Sequence, residues 1–140
     1  MIIDSYPHVA RLQNFTYEGN RIRDYGSKAT VWFCDFFIGR GPQAEPFKIV
    51  CNAFPVSTEY GKRRYPNVDR ELMERYDVHE IPWNYYSNLL KCEPHPSFDI
   101  CMLYWIYKDC GCIHPFDVFG FKFSHREATL FRAMCDGVLQ

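Results

Sequence analysis

Long apolar runs and an excess of one charge are both missing from this sequence. No stretch approaches the roughly 20 apolar residues that a membrane-spanning helix needs, and the first residues, MIIDSYPHVAR, lack the basic and apolar regions of a signal peptide. The 16 Lys and Arg residues nearly balance the 17 Asp and Glu residues. We therefore expect a chain that is soluble as given, with no overall field that would attract nucleic acid or an anionic membrane.

Several motifs of nucleotide and metal chemistry are missing as well. The stretch IGRGPQ at residues 38–43 has two glycines but no helix pattern after it, so it predicts a turn and not a GxGxxG or GxxxxGK phosphate loop. No Asp-x-Asp pair is present to hold a divalent cation. The sequence also has no internal repeat, low-complexity tract or linker, so we expect residues 1–140 to form a single domain.

Aromatic residues, in contrast, are abundant, with 12 Phe, 10 Tyr and 3 Trp in 140 residues. Such side chains bury their area in a core or in a recognition cleft, so we expect a folded chain. The seven cysteines are an odd number. At least one thiol therefore has no disulfide partner within the monomer, which argues against a secreted domain built only on disulfides.

The apolar pattern alternates between predicted strands and predicted helices. Strand patterns cover residues 9–12, 29–38, 47–54 and 113–119. Helical spacing covers residues 68–76, 83–91, 100–110 and 128–134, with Gly111 placed to end the third of these helices. Residues 62–64, KRR, predict a solvated loop, with steering of a phosphate as the minor alternative. The alternation favours an α/β layered sheet whose ligands bind at the carboxyl ends of the strands.

The start of the helix predicted at residues 100–110 is preceded by Pro96, Ser97 and Asp99. Backbone N–H groups at a helix start, together with the helix dipole, can bind an anion. Ser and Asp at this place also cap helices without any ligand, so both interpretations stay open.

A zinc site is a further alternative. Its candidate ligands are Cys92, His95, Cys101, Cys110, Cys112 and His114. Only the first two have the close spacing of a zinc-ligand pair, so we favour thiols that pack as small apolar groups and expect no bound metal.

Three separated segments, in the same order, resemble the sialyltransferases, enzymes that transfer sialic acid from a CMP donor to a sugar hydroxyl. Residues 3–30 are similar to the second half of the family's large sialylmotif, and residues 95–123 are similar to its small sialylmotif. Residues 124–140 look like the family's last motif, with a histidine followed by a glutamate and an apolar helix. The residues that fit are Val9, Arg11, Gly19, Asp24, Gly26, Ser27, Lys28, Thr30, Pro96, Ser97, Cys110 or Cys112, Phe119, Gly120, Phe121, Glu127, Leu130, Met134, Gly137 and Val138, with Gln13 and Asn14 at the family's asparagine.

The resemblance implies a Rossmann-like layered sheet with flanking helices, a sialyltransferase-type GT-A variant. It implies an inverting transfer from a CMP-sugar donor to a glycan acceptor, with no cofactor and no metal. The general base would be His125. The residues that it places at the CMP donor are Ser97, Arg11, Gln13, Asn14, Gly120 and Glu127. The compartment would be the Golgi lumen for an animal-type enzyme and the cytoplasm for a bacterial-type or viral one.

Two departures from the family pattern keep other functions open. The Gly-Asn-Ser-Gly turn that opens the large sialylmotif is not among these residues, and Phe98 and Asp99 stand where the family has Thr and Gly. A glycine there would allow a close approach of the backbone to the donor. The alternatives are a catalytically inactive relative that binds a nucleotide or a glycan, and a small interaction domain stabilised by zinc.

Overall fold

The computed structural model describes residues 10–12, 30–38, 49–111 and 123–137. The strands in this part of the chain are β1 (Ala10–Leu12), β2 (Val31–Cys34), β3 (Ile49–Asn52) and β4 (His79–Glu80). The helices are α1 (Glu59–Arg64), α2 (Arg70–Arg75), α3 (Trp83–Cys92), α4 (Phe98–Cys110) and α5 (His125–Cys135). The predicted strand at residues 113–119 lies outside the described residues.

The four described strands form one parallel sheet in the order β1-β2-β3-β4. In the central pair, Trp32 lies beside Val50 and Phe33 beside Cys51, and all four side chains are buried. Parallel sheets are normally covered on both faces, because the connections between their strands pass over the sheet. The predicted α/β architecture, a sheet with flanking helices, is confirmed at this level.

Three helices supply most of the helical part of the core. The buried side chains are Tyr86 and Leu89 of α3, Ile100, Cys101, Met102, Leu103, Tyr104 and Tyr107 of α4, and Leu130 and Met134 of α5. Burial of so many consecutive α4 residues explains why that helix is apolar on more than one face. Among the described residues, no helix is both long enough and apolar enough to cross a membrane.

The ends of α4 follow from local chemistry. The hydroxyl of Ser97 accepts a hydrogen bond from the backbone N–H of Ile100 at 3.3 Å, so Ser97 is the N-cap. Gly111 ends the helix in the left-handed region, with φ of 83°, and its N–H donates to the carbonyl of Tyr107 at 2.7 Å. Both ends were predicted, although the helix begins at Phe98 and not at Ile100.

The prediction for residues 62–64 was half wrong. The three basic side chains are exposed, as expected, but they form the last turn of α1 and not a loop. Thr58 caps this helix by accepting a hydrogen bond from the N–H of Gly61 at 2.9 Å. A Cβ on Gly61 would lie 1.9 Å from the carbonyl oxygen of Pro55. The glycine therefore lets α1 pack directly against the chain that follows β3.

Two further differences concern short elements. The strand patterns at residues 29–38 and 47–54 become strands of only four residues each, because the chain after Cys34 and after Asn52 stays buried but leaves the sheet. Strand β4 was not predicted. It has two residues, His79 and Glu80, which is too short for any alternation of apolar and polar residues to show.

Candidate functional site

The starts of α4 and α5 are joined by one buried carboxylate. Glu127 is only 3% exposed, and its Oε2 accepts a hydrogen bond from the backbone N–H of Ser97 at 2.7 Å. Its Oε1 accepts from the backbone N–H of Ser124 at 3.2 Å. A carboxylate is favourable here because both helix starts present N–H groups and the positive end of a dipole.

Ser124 and Glu93 extend this contact to the loop before α4. The hydroxyl of Ser124 accepts from the N–H of Glu127 at 3.2 Å, which completes a capping box, and donates to Oε2 of Glu93 at 3.1 Å. Oε1 of Glu93 accepts from the N–H of His95 at 3.3 Å. We call Glu93, Ser97, Ser124 and Glu127 the helix junction.

Three of the residues that the resemblance places at a CMP donor or in catalysis meet at or beside the helix junction. Ser97 and Glu127 are in direct contact, and His125, the first residue of α5, is exposed between Ser124 and Glu127 in the chain. Arg11 lies in β1, where only its backbone is described. Gln13, Asn14 and Gly120 lie outside the described residues.

The carboxyl ends of β2 and β3 carry a second set of polar contacts. Asn52 is fully buried, donates from Nδ2 to the carbonyl of Asp35 at 3.3 Å, and accepts from the N–H of Phe54 at 2.9 Å. The Asp35 carboxylate accepts from the N–H of Phe37 at 3.1 Å. These bonds connect the segment that follows β2 to the segment that follows β3 and hold both in position.

Phe36, between these residues, has a left-handed backbone with φ of 58°. Its ring is fully buried, and its carbonyl accepts from the N–H of Asp69 at 2.7 Å. This conformation costs roughly 1 kcal/mol or more for a residue with a side chain. It turns the chain so that Phe37 bridges to Val68.

Beside that bridge, a hollow of about 500 Å³ opens at the carboxyl edge of the sheet. We call it the edge hollow, and its lining residues are Phe37, Ile38, Arg64, Tyr65, Pro66 and Asn67. Its size falls within the usual range of small-molecule sites, roughly 300–1,000 Å³. Ligands were expected at this edge of the sheet, but these lining residues were not identified from the sequence.

Tyr65 is fixed in the wall of the edge hollow by aromatic neighbours. Its ring stacks on that of Phe54 with centroids 4.6 Å apart, and its hydroxyl lies 2.9 Å from that of Tyr86. Burial raises the pKa of both phenols. The two hydroxyls therefore remain protonated at neutral pH and rigidify the wall without adding charge.

The edge hollow and the helix junction are neighbours with opposite charge. Nη2 of Arg64 lies 3.2 Å from Nδ1 of His95, and His95 also donates its backbone N–H to Glu93 of the junction. Two carboxylates, Glu93 and Glu127, belong to the junction. Among the described residues, those that line the edge hollow include a guanidinium and no acid.

Three thiols, Cys34, Cys51 and Cys101, are buried and are called the core thiols below. Burial raises the pKa of each, to about 12 for Cys51. Of the candidate zinc-ligand thiols, Cys101 is buried as expected. Cys92 and Cys110 are exposed, so the prediction that these thiols pack as apolar core groups is wrong for those two. Among the described residues, no group of three or more His, Cys, Asp and Glu is arranged to hold a metal ion, and Cys112 and His114 lie outside that part of the chain.

No model of a known protein family matches this sequence, and comparisons with curated proteins and with solved structures find no match either.

Proposed function

We propose that the chain is a CMP-sugar-dependent, inverting glycosyltransferase of the sialyltransferase type, built on a Rossmann-like sheet. It would transfer sialic acid or a related sugar to a hydroxyl of a glycan acceptor, without a metal ion. The observation that supports the proposal is the hydrogen bond between Ser97 and Glu127. These residues belong to two of the three segments that resemble the family, and they are 30 positions apart in the chain.

In this proposal His125 is the general base. Its imidazole takes the proton of the acceptor hydroxyl as the oxygen attacks the anomeric carbon, and CMP leaves from the opposite face. A histidine positioned as a general base typically contributes 10²–10⁴-fold to the rate of such a step. Exposure at the first position of α5 leaves the ring accessible to an acceptor.

The other residues divide into two roles. Ser97, Arg11, Gln13, Asn14 and Gly120 are proposed to contact the nucleotide of the donor. The resemblance places Glu127 at the CMP donor as well, but we propose it as a positioning residue, because its carboxylate is buried and already bonded to two backbone N–H groups. It would hold the segment of Ser97 against the segment of His125.

One observation favours a second candidate, the catalytically inactive relative that binds a nucleotide or a glycan. The N–H of Ser97, which a donor phosphate would use at a helix start, already donates to Glu127. A phosphate at the same place would also meet the negative charge of Glu93. Binding of CMP without turnover is the expected behaviour of such a relative.

Calorimetric titration with CMP, followed by a donor-turnover assay, separates the candidates. The transferase is expected to bind CMP and to release CMP from CMP-sialic acid when a galactose-terminated acceptor is added. Binding without release would favour the inactive relative. If the purified chain neither binds CMP nor releases it from the donor, the transferase proposal is wrong.

A further inference from the structure

The edge hollow combines a fixed cation with apolar walls. Arg64 supplies the charge, while Phe37, Ile38 and Pro66 supply apolar surface, and Ile38 is 74% exposed. Sites for small molecules commonly pair a largely apolar lining with a few well-placed polar groups. A ligand that matches this lining has a ring or another compact apolar part and a negative group at one end.

The contacts of Arg64 leave its positive charge available to a ligand. Among the described residues it contacts Nδ1 of His95 at 3.2 Å and the ring of Tyr65, whose centroid lies 5.7 Å from the guanidinium carbon. A guanidinium only donates hydrogen bonds, so it is the donor in its contact with His95. Both contacts orient the guanidinium, and neither brings a negative charge.

The neighbouring basic residues strengthen the positive field. Lys62 and Arg63 are exposed in the same turn of α1 as Arg64. The helix junction, in contrast, already holds the carboxylates of Glu93 and Glu127 close to Ser97. A phosphate near the junction would be repelled by these groups, whereas a phosphate at Arg64 gains charge-assisted hydrogen bonds from a planar fork of donors.

We propose that the edge hollow is an anion subsite in which Arg64 binds the phosphate of the nucleotide donor. The nucleotide lies along Phe37, Ile38 and Pro66, and His95 holds the guanidinium in place. The identity of the ligand as CMP rests on the proposed function. Because His95 is two residues before Ser97, a phosphate at Arg64 keeps the donor beside the helix junction and within the segment that resembles the small sialylmotif.

The test compares CMP with cytidine, which lacks the phosphate, by calorimetry on three proteins. The variants are Arg64→Gln, which removes the charge from the edge hollow, and Arg63→Gln, which removes an exposed charge from the same turn outside its lining. For the wild type we expect CMP to bind at least about tenfold more tightly than cytidine, a difference of about 1.4 kcal/mol. Arg64→Gln is expected to abolish this preference, and Arg63→Gln to leave it within about twofold.

Two further measurements separate a direct role from a structural one. Arg64→Lys keeps the charge but loses the planar fork, so it should retain part of the preference for CMP. Raising the salt concentration should weaken CMP binding to the wild type more than to Arg64→Gln, because an exposed ion pair is screened. Circular dichroism of each variant checks that α1 still folds.

The outcomes also separate this inference from the proposed function. If CMP binds and Arg64→Gln binds it as tightly as the wild type, the anion subsite is wrong and the transferase proposal stands. If the wild type binds CMP no better than cytidine, the phosphate is not recognised and the subsite is again wrong. Complete absence of CMP binding would overturn both proposals.

Discussion

Replacing Glu127 with glutamine tests whether one buried carboxylate holds two helix starts together. The side chain is 3% exposed, and its oxygens accept hydrogen bonds from Ser97 N–H at 2.7 Å and Ser124 N–H at 3.2 Å. Glutamine has one acceptor oxygen in place of two. Its NH₂ group would face the second backbone N–H, and two donors cannot form a hydrogen bond. One of the two bonds is therefore lost, and the remaining bond no longer involves a charge.

The expected loss of stability follows from these bonds. A hydrogen bond to a charged group contributes roughly 1.5–3 kcal/mol, and an N–H left without a partner in a buried place costs about 1–3 kcal/mol more. Relief of the desolvation of the buried carboxylate offsets part of this loss. We expect Glu127→Gln to lower the free energy of unfolding by about 2 kcal/mol and the Tm by about 6 °C.

Urea denaturation at pH 7, followed by far-ultraviolet circular dichroism, measures this difference. The matched control is Glu74→Gln, because Glu74 is exposed on α2 and its replacement is expected to change stability by less than about 0.5 kcal/mol. If Glu127→Gln is as stable as this control, the carboxylate does not join the two helices as described.

Four other predictions follow from particular residues. Gly61→Ala should destabilise the fold by about 3 kcal/mol, because the new Cβ would lie 1.9 Å from the backbone of Pro55. Gly111→Ala has open space around it and should cost only about 1 kcal/mol, for the left-handed backbone with φ of 83°. Equal urea midpoints for the two variants would contradict this. Ser97→Ala should cost about 1 kcal/mol through loss of the α4 cap, whereas Ser87→Ala, inside α3, should cost less than about 0.5 kcal/mol in the same assay. Iodoacetamide at pH 8 should modify exposed Cys92 and spare the core thiols until the chain unfolds, as peptide mass mapping would reveal. The core thiols stay protonated in the folded chain and ionise near pH 9.0 when unfolded, so stability should fall as the pH rises above 9. The loss at pH 10 is about 1.4 kcal/mol per thiol, and equal stability at pH 8 and pH 10 would refute this.

The parts of the fold that are set by interactions between residues close in sequence were predictable. The cap at Ser97 and the glycine at 111 set the ends of α4 by interactions within a few positions, and the two central strands are marked by their aromatic and β-branched residues. Helix α1 was missed because six residues rich in charge and containing a glycine carry little apolar periodicity. Its formation depends on packing against Pro55, which no local pattern reveals.

The sites show the same division between local and long-range interactions. Ser97 and Glu127 were singled out by resemblance, but the direct bond between them joins residues 30 positions apart and could not be derived from spacing. Ligands were expected at the carboxyl edge of the sheet, but the residues that line the edge hollow were not predicted. The edge hollow depends on the left-handed backbone of Phe36, a conformation that residue type does not favour and that the contact of its carbonyl with Asp69 supports. Four of the six residues that line the edge hollow are consecutive in the sequence, RYPN at residues 64–67, beginning with the last residue of the basic turn.

The most direct test of the central claim is the rate of CMP release from CMP-sialic acid, in the presence of a galactose-terminated acceptor, for the wild type and for His125→Asn. His79→Asn is the matched control, because His79 is also exposed but lies on β4. A general base at position 125 predicts that kcat falls by about 10²–10⁴-fold while the affinity for CMP stays unchanged. A wild type that turns over, with His125→Asn as fast as His79→Asn, would contradict the account.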